Sequence, residues 1–343
     1  MFAQVCILLR TRCRPPPGPP LAAFAHAVLA VDETTLDQVR RWLPELRGGP
    51  AHDDARLPGK LVGLLDLRTQ IWAYIAPIPA PHQNEKATAP SLLGRLSAGT
   101  LLVCDLGYFS FRGFDTLSDQ GVWWVSRLRQ KTSYTICHTL YADGPTRDAL
   151  VWLGVSRADR ARHLGRLVQF RLGPVCSSSL TNQLDPHLFS LREIARVSQR
   201  RGDSALAFRL VKHYLHLHAL WSSKTAVLMQ QVWGVLIISQ VLQALRLEIA
   251  TAAGVDVFEV SLPLLVSYVP HYLAEGVDPV AAIVRDGRRL GFIRPSRRTG
   301  NRAPEIPDAA IRPPPADLPL TRPGRYAHRK CTSRTKTIAE VHE

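Results

Sequence analysis

The chain has 343 residues, 46% of them hydrophobic, enough apolar material for two domains or for one large domain carrying an insertion. Lys and Arg outnumber Asp and Glu by 43 to 28, giving a formal charge of +15 and a pI near 10.1. That balance suits a partner with regularly spaced negative charge, nucleic acid first and an anionic membrane surface second. The six cysteines are scattered with no C-x-x-C pair, which excludes a zinc ribbon and a disulfide framework and fits a reducing cytosol.

The opening stretch, MFAQVCILLRTRCRPPPGPP, has no charge ahead of its apolar run and no cleavage site of secretory type. Its basic, proline-rich character predicts an unstructured or atypical segment over residues 1–22. FAHAVLAVDET then reads as a strand, and KLVGLLDLRTQIWAYIAPI as two strands or one long bent one. NEKATAPSLLGRL reads as helix, and SAGTLLVCDLGYFS as a buried strand ending in Asp-Leu-Gly. WWVSRLRQKTSYTI, ALVWLGV, HLGRLVQFRLG and CSSSLTNQL form a strand-rich block, placed as an insertion over about 136–186.

From SLREIA to about Ala253 the period turns helical, with two long segments broken near LHALWSSK, and a smaller helical piece follows from EVSLPLLVSY. The apolar run Val232–Leu245 is too short and too interrupted by Gln to cross a bilayer, and reads as a buried helix. Residues 300–343 read as a basic, proline-rich tail. The architecture predicted is a β-rich α/β core over 23–299, with long helices returning to it after the insertion.

Asp32 follows the apolar run AVLAV and Asp105 follows LLVC, which places each at the carboxyl end of a buried strand. Two carboxylates converging there could hold Mg²⁺ or Mn²⁺, hard cations that take oxygen ligands. Strand-end aspartates also cap a following helix or turn, and Asp66 in LLDLR carries the same ambiguity.

At these residues the chain resembles the DDE transposases of bacterial insertion sequences, in the branch with the helix signature Y-x2-R-x3-E-x6-K. The resembling stretches are AVDETTLD, LPGKLVGLLDLR, NEKATAPSLL, GTLLVCDLGYFSF, WWVSRLRQKTSYT, SLREIA, FRLVKHYLHLHALWSSK and LGFIRPSRRT, with DLGYF the most specific short motif. The resemblance implies a ribonuclease-H-like core with a β-rich insertion. It also implies two divalent ions held by Asp, Asp and Glu, which activate water and then a freed 3′-hydroxyl for attack on DNA. Asp32 and Asp105 match the family's two aspartates and would be its catalytic metal ligands. The implied partner is double-stranded DNA, at the element's inverted-repeat ends and at the target. A homodimer in a synaptic complex and a cytoplasmic, nucleoid-associated setting go with it, and no membrane. Family members carry more helical sequence ahead of the first strand, so the start resembles a shortened one.

Arg201 and Lys212 sit eleven residues apart, as the signature's R and K require, and would contact backbone phosphates. Counting outward puts the family's Tyr at Ser198 and its Glu at Ala205. On one ideal helix, positions 198, 201, 205 and 212 fall within ~60° of one another. A methyl group cannot ligate a metal, Asp203 points about 160° away from position 205, and Glu193 lies about three turns earlier. Neither acid replaces the missing one.

Relatives carry Trp where Gly202 stands and Ile where Ser204 stands. Ser204 falls on the apolar stripe Ser204, Phe208, Val211, Leu215, where a hydroxyl needs a partner and costs roughly 2 to 4 kcal/mol. Gly202 costs about 1 kcal/mol in helix propensity. All four departures are reachable by single base changes. Arg201-Gly202-Asp203 also spells an adhesion tripeptide, which would have to be displayed on an exposed turn, and its flanks are helical.

His213 and His216 are spaced i, i+3, and His218 follows, but no Cys or carboxylate joins them at ligand spacing. Trp123, Trp124 and Trp221 could stack on bases or simply fill a core. PSRRTGNR near residue 300 reads as a phosphate-binding arm or a solvated basic tail.

Overall fold

The computed structural model describes residues 2–12, 19–36, 59–80, 83–155, 159–172, 174–217, 225–296, 298 and 303–322. In chain order the elements are α1 (Phe2–Arg12), β1 (Ala27–Thr35), β2 (Lys60–Asp66), β3 (Trp72–Ile78), α2 (Glu85–Leu93), β4 (Thr100–Cys104), α3 (Phe111–Asp119) and β5 (Trp123–Arg127). The strand-rich block is β6 (Tyr134–Asp143), β7 (Thr146–Leu153), β8 (Gly165–Leu172) and β9 (Val175–Thr181). Then come α4 (Leu191–Arg200), α5 (Asp203–Arg209), α6 (Thr225–Ala253), α7 (Leu262–Ala274) and α8 (Pro279–Asp286). The chain divides into two compact units. One comprises 1–20, 29–83 and 202–300, and the other 21–28, 84–201 and 301–343.

In the first unit, β3, β2 and β1 form an antiparallel ladder in that order, with Asp32 opposite Gly63. Every residue of β2 is buried, as the run LVGLL leads one to expect of a strand covered on both faces. Gly63 has to be glycine, because a Cβ there would lie 2.5 Å from the Trp72 ring. Trp72 is fully buried, its backbone N–H donates to Gln240 Oε1 at 2.8 Å, and its ring packs on Phe208 with centroids 4.7 Å apart. α7, α8 and the end of α6 close around a core that includes Leu247, Ile249, Val260, Leu265 and Ile283.

The second unit carries the strand order β4-β5-β9-β8-β7-β6. β4 and β5 are parallel, and β5 through β6 are antiparallel, so the sheet is mixed. α3 makes the crossover that a parallel pair demands. Its N-terminus is capped by Ser110, and Phe114 stacks on Trp124 with centroids 4.0 Å apart. The elements follow largely in the order expected from the sequence, and the fold is of the α/β class with a mixed sheet.

Several elements depart from the sequence reading. Residues 2–12 are helical. α1 docks on α6 through Phe2 against Trp233, at 5.3 Å, and buries Cys6. The prolines that argued for disorder begin only at residue 15, beyond the helix. Asp32 is the sixth residue of nine in β1, inside the strand and not past its end. WWVSRLRQKTSYTI, read as one strand, supplies β5, a turn and the start of β6.

The described part of the tail, 303–322, is not loose. Arg312 N–H donates to Leu140 O, Leu164 N–H to Leu320 O, and Leu318 and Leu320 pack on Leu140, Leu150 and Leu164. Proline forbids helix and ladder interior, but an extended strap needs neither.

α6 runs for 29 residues, twice the span of the apolar run that announced it. By length and composition alone, Ala226–Ala253 could cross a membrane. Of its apolar window 56% is buried within the protein, and Gln240, Gln243 and Arg246 occupy buried positions, so the reading as a core helix stands.

Candidate functional site

The stretch from Leu191 to Tyr214 is not one helix. α4 is capped at its start by Ser190, whose Oγ accepts from Glu193 N–H, while Glu193 Oε1 accepts from Ala22 N–H. It ends at Arg201. α5 restarts after Gly202, which offers no capping side chain, and Leu210–Tyr214 forms a π turn. The ideal-helix face predicted for 198, 201, 205 and 212 is therefore broken twice. Glycine after Arg201 gives the chain a residue with no side chain to cap or to pack, and the interruption falls there.

In the first unit, Asp32 Oδ2 accepts a hydrogen bond from Ser204 Oγ at 2.9 Å, and its Oδ1 accepts from Glu33 N–H at 2.8 Å. Ser204 is 2% exposed, on the buried side of α5 with Phe208 and, further on, Val211. The hydroxyl on an apolar stripe has thus found its partner. Ala205, one residue on, faces solvent. Lys212 is half-buried and its Nζ donates to the Thr35 carbonyl at the end of β1.

Asp203 is wholly buried, where Arg298 donates to Oδ1 at 2.9 Å and Gln70 Nε2 to Oδ2 at 3.0 Å. An adhesion ligand must expose its aspartate, so Arg201-Gly202-Asp203 is not one. Arg298, from PSRRTGNR, is occupied by this pair, and residues 297 and 299–302 of that segment lie outside the described residues.

In the second unit, Asp105 stands just past β4 as expected. It caps the short turn Leu106–Tyr108 by accepting from Leu106 N–H at 2.6 Å, and it pairs with the Arg201 guanidinium. The preceding Cys104 thiol is pushed up to about 12, first by burial and then by the Asp105 charge, so it stays a neutral core residue. Ser198 Oγ lies 3.2 Å from Ser179 Oγ of β9.

Asp66 accepts from Arg68 and Thr69 N–H and holds the β2–β3 turn, which is the capping role and not a ligand's. Trp124 is buried, and its indole donates to Ser118, while Trp123 makes an edge contact with Phe24; both belong to packing. Trp221 and His218 lie outside the described residues.

Among the described residues, neither unit by itself assembles a three-carboxylate metal centre. Ala205 offers no ligand, Asp32 is engaged by Ser204, and Asp105 is engaged by Arg201. Among the described residues, no three His, Cys, Asp or Glu side chains stand together as a cation would need.

A family model described as the transposase DDE domain matches residues 24–241. The chain belongs to that family. It is also similar to a solved structure, the cryo-EM structure of the piggyBac transposase synaptic complex with hairpin DNA. That likeness has a TM-score of 0.41 and 12% identity, and covers 83% of this chain and 60% of that one, so this chain spans about 60% of that protein's length. No curated protein matches.

Sequence reasoning named Asp32, Asp105, Arg201 and Lys212. It missed which groups would meet: Ser204 with Asp32, Arg201 with Asp105, and Arg298 with Asp203. Only the buried hydroxyl on an apolar stripe gave a signal in advance.

Proposed function

We propose that this chain is an insertion-sequence transposase by descent. It binds double-stranded transposon-end DNA, and its phosphodiester hydrolysis and strand transfer are impaired because Ala205 stands at the third acid. The observation that carries this reading is the family match over 24–241, which includes Asp32, Asp105, Arg201 and the substituted position 205. The net charge of +15 supports a DNA partner.

Intact relatives would use Mg²⁺ or Mn²⁺ to supply charge stabilisation at phosphorus. No step is assigned to such an ion in this chain, whose donors do not form the set. What its own residues do is bind. Lys212 and Arg201 supply positive charge close in sequence to the broken helix, and DNA contact through them is salt-dependent. A homodimer on paired ends belongs to the same reading.

The test combines anisotropy with an inverted-repeat duplex and a cleavage assay with Mg²⁺ or Mn²⁺, for the unaltered chain and for Ala205→Glu. The expected result is salt-dependent duplex binding by both and cleavage at least about a hundredfold weaker in the unaltered chain, more than loss of a metal's outer-shell partner costs. Robust cleavage by the unaltered chain overturns the impairment. Failure of both to bind DNA overturns the reading as a whole.

A further inference from the structure

Within the first unit, α5, the π turn, α6, residues 258–263, residues 294–296 and Arg298 line an open pocket of about 490 Å³, a size typical of small-molecule sites. Four arginines line it: Arg209, Arg246, Arg294 and Arg298. Against them stand two acids, Asp203 and Glu259, leaving two positive charges in excess.

The guanidinium groups are held in place by protein contacts. Arg246 and Arg298 lie over the Phe258 ring, at 5.3 and 5.2 Å. Arg246 Nε donates to Val260 O at 2.9 Å, Arg294 reaches Ser261 Oγ at 3.4 Å, and Arg209 sits 5.9 Å from the Tyr214 ring. A guanidinium carries five N–H donors in a planar fork, so one such contact does not exhaust it. Arg209 and Arg294 are exposed, so their remaining donors are open to an anionic ligand.

A second, independent observation comes from Gln243. It lines the same cavity, is 3% exposed, and its Oε1 has no hydrogen-bond partner within the protein. A buried acceptor left unpaired costs roughly 1 to 3 kcal/mol, which a ligand bringing a donor would relieve. The wall therefore asks for an anionic group with several acceptor oxygens and, in the same cavity, for a hydrogen-bond donor.

We infer that this cavity binds a nucleotide unit, its phosphate held by Arg209 and Arg294 and its sugar or base donor turned to Gln243. The ligand is a free nucleotide or one nucleotide of a DNA strand, which present the same chemistry. The assignment goes beyond the transposase reading and stands without it, since binding here requires neither metal nor strand cleavage.

Isothermal titration of the full chain with adenosine monophosphate and with inorganic phosphate, at fixed ionic strength, tests it. Saturable nucleotide binding is expected, with phosphate weaker. Arg209→Gln combined with Arg294→Gln removes two exposed guanidinium groups and keeps the buried Asp203–Arg298 pair. It should weaken nucleotide binding at least about tenfold, as expected for lost charge-assisted hydrogen bonds. Gln243→Leu should weaken the nucleotide and leave phosphate unchanged.

Displacement of the bound nucleotide by a single-stranded oligonucleotide identifies a DNA strand as the source. Displacement by mononucleotides alone identifies a free ligand, and either outcome supports the site. No saturable nucleotide binding by the unaltered chain overturns it, as does unchanged affinity in a double variant that melts normally. Neither result bears on whether Ala205→Glu cleaves DNA.

Discussion

Ser204 Oγ donates to Asp32 Oδ2 across 2.9 Å, joining the buried face of α5 to the interior of β1. The hydroxyl that breaks an apolar stripe is paired with the carboxylate proposed as a catalytic ligand. A hydrogen bond to a charged group contributes about 1.5 to 3 kcal/mol, so Ser204→Ala should lower stability by about that much in urea unfolding. Asp32→Ala with Ser204→Ala should cost clearly less than the sum of the two single changes, because each removes the same bond.

Asp203 and Arg298 are unequal partners, the carboxylate fully buried and the arginine side chain 35% exposed. Arg298→Ala removes the arginine partner of a buried carboxylate and should cost about 3 to 5 kcal/mol. Asp203→Ala leaves a guanidinium that solvent can reach and should cost less. Chemical denaturation of the two variants and their double mutant measures the difference, and equal losses would contradict the asymmetry. Cell attachment through Arg201-Gly202-Asp203 is expected to be absent before and after either change.

In the strand-rich block, Arg166 is 0% exposed, pairs with Asp148 and also donates to Phe189 O at 2.7 Å. Asp148→Ala strands the guanidinium and should destabilise by about 3 to 5 kcal/mol. Replacing the pair by Leu and Met should cost less, about 1 to 3 kcal/mol, the residual penalty coming from backbone carbonyls that lose their donor. Thermal melting of both variants tests the order.

Asp119 gives a pH dependence of known sign. Burial alone would raise its carboxyl, but hydrogen bonds from His163 and Arg162, with their charges, hold it below the ordinary value of 3.8. A carboxyl lowered in the folded state stabilises above its unfolded value, and that stabilisation is lost as pH falls through the folded one. The melting difference between the unaltered chain and Asp119→Asn should therefore be present at pH 5 and vanish on acidification below 3.8. With the side chain nearly half exposed, the effect should be about a degree or two. His163 and Arg162 also hold the strap, through the bridge to Thr321 and the Arg322 N–H, so protection there should fall in parallel.

Much of this protein follows from its sequence without a structure. Short continuous apolar runs gave the buried strands, because a strand covered on both faces carries no alternation. AVLAV placed Asp32 at the end of a buried strand, of which it is an inner residue, LLVC placed Asp105 just after one, and the family was readable from DLGYF and the other resembling stretches. That Ala stands at position 205 is a fact of sequence alone.

Tertiary structure decided what those side chains meet. Helix continuity through residues 198–212 was assumed from periodicity, yet the chain breaks at Gly202 and again at the π turn, since burying Asp203, Ser204 and Phe208 outweighs a few residues of regular helix. The proline-rich strap was invisible because its stability comes from carbonyls and leucines of distant strands. Charge pairing is likewise non-local: Arg201 with Asp105 and Arg298 with Asp203 lie 96 and 95 residues apart in the chain, a separation that no local pattern encodes.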